Sequence, residues 1–298
     1  MQKLRGQIER IERWREAFLD ETTGIHATVQ DLLWNHAAFQ TTVRIVQLAS
    51  ERQEEDVPLN QMLFNLIHEG YWSSLLLGTR RLLDDCALKG PKGVYSIRSV
   101  VKDVRESRGW LNRKIYVEHV HRAEYDSKRL RQAREMKLAA SNGPIWISTE
   151  LYAIDDAHKC FDELSGVAPA DRSCGDQINP AVFDKIEARL ASLDKIADHA
   201  TTHLAHSGNQ ESRHIKKSLD AFGIKEAQST LKQLKEVSTF VGIWLVNEGS
   251  GDLAIFQGNQ FEGMDQPVVR GSDVQKLEEH WRALESEIAR WNIGAKEL

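Results

Sequence analysis

The segment from Asp198 to Asn209 reads Asp-His-Ala-Thr-Thr-His-Leu-Ala-His-Ser-Gly-Asn and ends a strongly periodic helical pattern. Upstream, apolar residues recur every three or four positions, as in a helix that packs on one side: Ile186, Leu190, Leu193, Ala197, Ala200 and Leu204. His199, His203 and His206 fall within an arc of roughly 60°, on a different face from that apolar stripe. The sequence therefore predicts a packed helix with a separate row of histidines.

The same helical spacing extends over most of the chain, which has only six prolines in 298 residues. The most apolar run, residues 59–87, predicts a central helix that its neighbours cover. A final amphipathic helix is predicted at about 272–291, and no change in composition divides the chain. We therefore expect an all-α fold, a multi-helix up-and-down bundle that forms a single domain over 1–298.

A long, highly charged helix is predicted at about 110–140, because apolar positions are sparse there. A helix this polar is typical of a projecting arm or of a dimer face. Four of its basic residues are the best candidates for contacts with RNA phosphates: Lys128, Arg129, Arg131 and Arg134. A solvated helix surface is the alternative that the residues leave open.

Composition excludes several classes of protein. The formal net charge of −5 gives no overall attraction to nucleic acid, so any RNA binding must come from a local patch. Three scattered cysteines form no disulfide or zinc pattern and indicate a reducing, cytoplasmic location. No apolar run approaches the roughly 18 to 20 residues of a membrane span, so no membrane partner is expected. Phosphate-loop, dinucleotide and serine-hydrolase motifs are missing from the sequence, and no cofactor is predicted.

The histidine row supports three interpretations. His199 and His203, four residues apart, can present two imidazoles to a metal ion, although further ligands must come from elsewhere. Alternatively, His206 acts in acid–base chemistry or phosphate recognition together with Asn209 and Arg81, because histidine exchanges a proton near neutral pH. A histidine that caps the end of a helix is the third interpretation.

Charged residues also end the apolar run at 59–87. Arg81 precedes Asp84 and Asp85 by three and four residues, so that it can pair with either on a helix. Such a pair is either a structural ion pair at the end of a core helix or a guanidinium that a carboxylate directs into a cleft.

Two segments resemble landmarks of HEPN-type domains, specifically of the abortive-infection U-like branch that acts in phage defence. Residues 193–207 end in Thr-His-Leu-Ala-His-Ser and resemble the helix that carries the family's active histidine. Residues 74–84, Ser-Leu-Leu-Leu-Gly-Thr-Arg-Arg-Leu-Leu-Asp, resemble the family's Arg-Leu-x-Asp helix. The resemblance covers about 30–250 and implies a helical bundle that is often dimeric. Many members of the family are metal-independent ribonucleases.

The resemblance also implies roles for individual residues. His206 takes the place of the acid or base, Arg81 stabilises phosphate charge, Asp84 orients Arg81, and His203 and Asn209 assist. The family has an arginine separated from its histidine by about four to six residues, whereas here those positions hold other residues: Thr201, Ala200 and His199. Arg81, His199 or His203 must replace that arginine if the protein is catalytic.

Three hypotheses about function follow. The first is an HEPN-like prokaryotic defence protein, a homodimer that binds or cleaves RNA without metal. The second is a non-catalytic interaction or dimerisation module of a defence or toxin–antitoxin system, with a protein partner. The third is a metal-binding protein that uses His199 and His203.

Overall fold

The computed structural model describes residues 2–51, 60–140, 149–205, 222–249, 259, 261–264 and 271–288. These residues form the following α-helices: α1 (Gln2–Leu19), α2 (Ile25–Glu51), α3 (Gln61–Leu82), α4 (Ile97–Ser107), α5 (Arg113–Ile115), α6 (Lys128–Ala140), α7 (Thr149–Ser165), α8 (Pro180–Ala191), α9 (Asp194–His199), α10 (Ile224–Phe240) and α11 (Val274–Ile288). Helices α5, α9 and α10 continue as π-helical segments over Tyr116–Val120, Ala200–Ala205 and Val241–Val246. The predicted all-α, multi-helix fold is confirmed.

The chain divides into two compact units, Met1–Leu253 and Ala254–Leu298. The first unit contains α1 to α10, and the second contains α11. The expectation of a single domain over 1–298 stays a prediction. No helix in the described part of the chain is long and apolar enough to cross a membrane.

The hydrophobic core of the first unit is rich in large side chains that are fully buried: Trp14, Phe18, Tyr116, Phe161 and Phe183. They come from α1, the π segment after α5, α7 and α8, so the core joins helices that are distant in sequence. Burial of each large apolar side chain contributes about 1.5–3 kcal/mol to folding.

Local signals set the start of several helices. The Ser96 side chain accepts a hydrogen bond from the backbone N–H of Ser99, which begins α4, and Ser99 reciprocates. Asn179 caps α8 and Pro180 occupies the first helical position.

Helix α3 positions the histidine helix, because it packs against α2 on one side and against α9 and its π segment on another. Arg98 donates hydrogen bonds to the Leu83 carbonyl (3.0 Å) and to Asp194 Oδ1 (2.9 Å), so the start of α9 lies beside the end of α3. Since α9 and its continuation both contact α3, the two helices run antiparallel.

The continuous helix predicted over 110–140 is wrong in its first half. Residues 113–120 form a short helix in the core, residues 121–127 are not helical, and α6 begins at Lys128. Arg122 has a φ of 54°, which is incompatible with a right-handed helix. The sequence pattern misleads because Arg113, which reads as a surface charge, is fully buried against acids from other parts of the chain.

The prediction that neighbours cover α3 is also wrong for the first half of the helix. Leu75 and Leu82 are buried in the second half, but Leu66 in the first half is 67% exposed. Apolar residues at most positions of a helix therefore indicate here a core contact at one end and an uncovered apolar surface at the other.

Gly78 allows the close approach of α2 and α3, because a Cβ atom at this position would lie 2.7 Å from Leu32 Cδ2. We expect Gly78→Val to lower the free energy of unfolding by about 1–3 kcal/mol through overpacking. Urea unfolding followed by circular dichroism measures this change.

Gly70→Val is the matched control, because Gly70 lies on the same helix and has no atom within 4 Å of a Cβ built there. We expect the control to change stability by less than about 0.5 kcal/mol. Equal effects of the two substitutions would contradict close packing of α2 on α3.

Candidate functional site

His199 and His203 form a stacked pair at the end of α9 and in its π segment. Their ring centroids lie 4.3 Å apart with an interplanar angle of 28°. His199 Nδ1 and His203 Nε2 are buried and have no hydrogen-bond partner. Burial, and secondarily the neighbouring His203, lower the pKa of His199, which is therefore neutral at pH 7. A neutral imidazole with an unpaired ring nitrogen is suited to exchange a proton.

The local backbone explains this placement. Thr201 and Thr202 donate their hydroxyl groups to the carbonyls of Ala197 (2.8 Å) and Asp198 (2.9 Å), four residues earlier. Threonine bonds of this kind compete with the helical ladder and often bend a helix. The helix changes from α to π at Ala200, between the two histidines. Such π segments are rare in proteins as a whole, but those that occur are frequently found at functional sites.

Arg81 and the histidine pair lie at different positions along α3. Helix α9 starts beside Leu83, and His203 follows nine residues after Asp194, roughly 13 Å further along at about 1.5 Å per residue. Arg81 is only about 3 Å from the level of Leu83. The structure thus separates Arg81 from His203 by roughly 10 Å along the helix axes.

Arg81 and Asp84 line a second site, a cavity of about 320 Å³ together with Thr23, Val94 and Tyr95. Arg81 Nη2 donates a hydrogen bond to the Thr23 carbonyl at 2.5 Å. Asp84 Oδ1 accepts one from the Cys86 backbone N–H at 2.9 Å. Among the ion pairs of the described residues, the predicted pair of Arg81 with Asp84 or Asp85 does not occur. The structure thus brings Arg81 and Asp84 to one cavity but gives each its own partner.

The other predicted site residues differ in whether the structure describes them and in what they contact. His206 and Asn209 lie outside the described residues. Lys128, Arg129 and Arg134 are exposed on α6, and Arg131 pairs with Asp155 at 2.6 Å. Their contact with RNA phosphates stays a prediction.

Sequence reasoning missed a buried charge cluster around Arg113. This guanidinium donates to Asp162 Oδ1 and Asp176 Oδ2, both at 2.7 Å, and lies 4.9 Å from the centroid of the Phe161 ring. Arg113 is separated from His119 by five residues, which satisfies the family spacing given above. Because two carboxylates hold Arg113 in the core, it does not serve as a free phosphate-binding group. The spacing in the sequence could have identified Arg113 and His119 as a pair, but it could not have shown that Arg113 is buried.

His121 belongs to the same region. Burial lowers its pKa to about 4, and its Nε2 lies 3.1 Å from the Tyr116 hydroxyl. Tyr116 in turn donates a hydrogen bond to the Trp244 carbonyl at 2.5 Å. His121 is therefore a neutral histidine. Through Tyr116 it helps to join the π segment after α5 to the π segment after α10.

One comparison with known proteins bears on the class of this all-helical fold. Residues 8–137 match the model of the family HEPN_AbiU2, described as AbiU2, and this match supports a HEPN-type domain of the abortive-infection U2-like branch in this part of the chain. A search among curated proteins and a search among solved structures each find no match. The matched part contains Arg81, Asp84 and Arg113 but ends before the histidine pair, so the family assignment rests on α1 to α6.

Stability should depend on pH through Asp162, which accepts hydrogen bonds from Arg113 and Arg172. Burial raises the pKa of Asp162, but the hydrogen bonds from Arg172 and Arg113 outweigh it, so the net pKa is lowered. Because the pKa of Asp162 is lower in the folded state, this group stabilises the fold at pH values above its unfolded-state pKa of about 3.9. The stabilisation is lost as the pH falls through the folded-state pKa. We expect Asp162→Asn to reduce stability at pH 7 and to flatten its decline below about pH 5.

The measurement is urea unfolding between about pH 7 and pH 3. Asp184→Asn removes an acid from an exposed pair with Arg105 and should keep the wild-type dependence on pH, because exposed pairs contribute little. If the free energy of unfolding of Asp162→Asn fell with decreasing pH in parallel with that of the wild type, Asp162 would not be the source of the pH dependence.

Proposed function

We propose that this protein is an HEPN-like defence protein that binds RNA and cleaves it without a metal ion. Two findings support the proposal, the match of residues 8–137 to an abortive-infection family and the stacked pair of His199 and His203. The pair carries the proposal, because its two unpaired ring nitrogens are the groups in the described site that are best suited to exchange protons.

Cleavage of RNA without metal needs a base for the 2′-hydroxyl, an acid for the leaving oxygen and positive charge at the phosphate. In the proposal, neutral His199 accepts a proton and His203 assists as the second exchangeable group. A charge on His203 disfavours protonation of His199, because it adds to the effect of burial in lowering the pKa of His199. His206, at the position of the family's active histidine, completes the proposed acid–base set.

The arginine that the family places before its histidine needs a replacement in this proposal. Arg81 is roughly 10 Å from His203 along the helix axes and donates to Thr23, so it does not face the same reacting group. We assign Arg81, oriented in its cavity with Asp84, to a neighbouring phosphate of the bound strand. Lys128, Arg129 and Arg134, all exposed on α6, supply further positive charge.

The metal alternative has weaker support. Lone pairs of imidazole nitrogens lie in the ring plane, and two nearly parallel rings at 4.3 Å do not direct them to one ion at about 2.0–2.1 Å. Among the residues described, the metal-compatible group is a different one, Asp84, Asp85 and Cys86, on the turn after α3. Coordination by His199 and His203 would require their rings to rotate.

The direct test is cleavage of total RNA by the purified protein with excess chelator. We expect His203→Ala and His206→Ala each to lower the cleavage rate by about 10²- to 10⁴-fold, as loss of acid–base catalysis does. His280→Ala, which changes an exposed histidine on α11, is the control and should retain the wild-type rate.

Outcomes of this test separate the three hypotheses. Cleavage that stops with chelator would support a metal site. RNA binding without cleavage by the wild type would leave a non-catalytic module. Cleavage that survives every histidine substitution would place the chemistry elsewhere.

We further propose that a second copy of the chain covers the apolar surface of α2 and the first half of α3, which gives a homodimer. Five exposed residues form this surface: Ile45, Met62, Leu63, Leu66 and Ile67. Contiguous apolar surfaces of this kind mark interaction sites in soluble proteins. The frequent dimerisation of HEPN-type domains supports a copy of the same chain as the occupant.

Leu66→Glu should convert the dimer to a monomer, because a carboxylate cannot be buried unpaired in an apolar interface. Light scattering coupled to gel filtration measures the mass. Leu138→Glu, on the exposed surface of α6, is the matched control and should leave the mass unchanged. A monomeric wild type would refute the homodimer.

A further inference from the structure

Helix α11 in the second unit carries an apolar stripe along its whole length. Five side chains, each between 38% and 55% exposed, form it: Val274, Leu277, Trp281, Leu284 and Ile288. Their spacing alternates between three and four residues, and at about 100° per residue they lie within an arc of roughly 80°. This is the pattern of positions a and d in a heptad repeat, which pack against a second helix.

No residue of α11 is buried, so within the described residues of the second unit nothing covers the stripe. An isolated helix of this length is only marginally stable in water. Helix α11, with 15 residues, is therefore expected to gain stability from a partner that covers its apolar face.

Acidic residues border the stripe on both sides. Glu278 and Glu285 occupy position e of the repeat on one side. Glu287 occupies position g on the other side, with His280 one heptad before it. Positions e and g contact the flanks of the partner helix and decide which partner is accepted. The helix therefore presents negative charge along both edges of its contact surface.

Basic residues offset only part of this charge, because residues 273–288 hold five acidic and two basic residues. Lys276 pairs with Asp273 at 2.8 Å, and Arg282 lies 3.8 Å from Glu278. Both basic residues project roughly 120° from the centre of the stripe. The edges of the stripe thus keep an acidic character.

This pattern of charge disfavours two other occupants. In a parallel pair of copies Asp273 would face Glu278, and in an antiparallel pair Glu278 would face Glu285, so that acids oppose acids in both orientations. A membrane surface is also disfavoured, because interfacial helices usually carry Lys and Arg beside the apolar face to meet anionic lipids.

We propose that α11 is a docking helix for a partner protein that presents an amphipathic helix with apolar residues at the same spacing and Lys or Arg at the flanking positions. The apolar stripe supplies affinity, and the acidic edges select a basic partner. This surface belongs to the second unit and lies outside the segment that matches the family, residues 8–137. The inference does not depend on RNA cleavage.

The test uses the full chain and two labelled three-heptad peptides with Leu at positions a and d. One peptide has Lys at positions e and g, and its twin has Glu there. Fluorescence anisotropy should show that the Lys peptide binds at least about tenfold more tightly than the Glu peptide, and that salt weakens this preference. Leu284→Asp should abolish binding, because it places a charge in the apolar stripe.

Glu285→Lys changes the charge at the edge of the stripe and should weaken binding of the Lys peptide about threefold or more. Glu279→Lys makes the same change on the outer face and should have no effect. Circular dichroism checks that the variants stay folded. Equal binding of both peptides, or binding of neither, would overturn the proposal. So would a decrease in oligomer mass in Leu284→Asp but not in Leu66→Glu, which would identify a second copy as the occupant.

Discussion

The fold of the first unit depends on a guanidinium that is wholly removed from water. Arg113 is fully buried, and two carboxylates at 2.7 Å, from α7 and from the segment before α8, compensate its charge. A buried charge that loses a partner costs several kcal/mol, so the three segments must come together for any of them to be stable. The position of Tyr116, and through its hydroxyl the end of α10, follows from the same arrangement.

Two polar sites result from the antiparallel packing of α9 on α3. The histidine pair lies along the second half of α3, and the cavity with Arg81 and Asp84 lies at its end. The two sites lie roughly 10 Å apart along the axis of α3, so this one helix fixes the distance between them.

Features that depend on a few neighbouring residues could be predicted from the sequence. The helix starts at Ser96 and Asn179 are examples, because a capping side chain bonds to the next turn of its own helix. The histidine row was visible for the same reason, since the 100° step of a helix fixes relative directions within one element. The π segment that begins between His199 and His203 could not be predicted from the sequence pattern.

Features that depend on distant residues could not be predicted. The burial of Arg113 depends on acids about 50 and 60 residues later in the chain, and the sequence does not show which charges are paired. Likewise, apolar residues around α3 indicate burial but not whether the neighbour is this chain or another. The assignment of Arg81 and Asp84 to a common cavity depended on the loop that brings Tyr95 to the end of α3.

The π segment over Ala200–Ala205 has a consequence for length variation among relatives of this protein. A π turn accommodates more residues than an α turn, and removal of one residue would let the helix return to α geometry. Every side chain beyond that point would then rotate by about 100° relative to α3. Insertions and deletions at this position can therefore redirect His203 relative to His199, while α9 keeps its own contacts with α3.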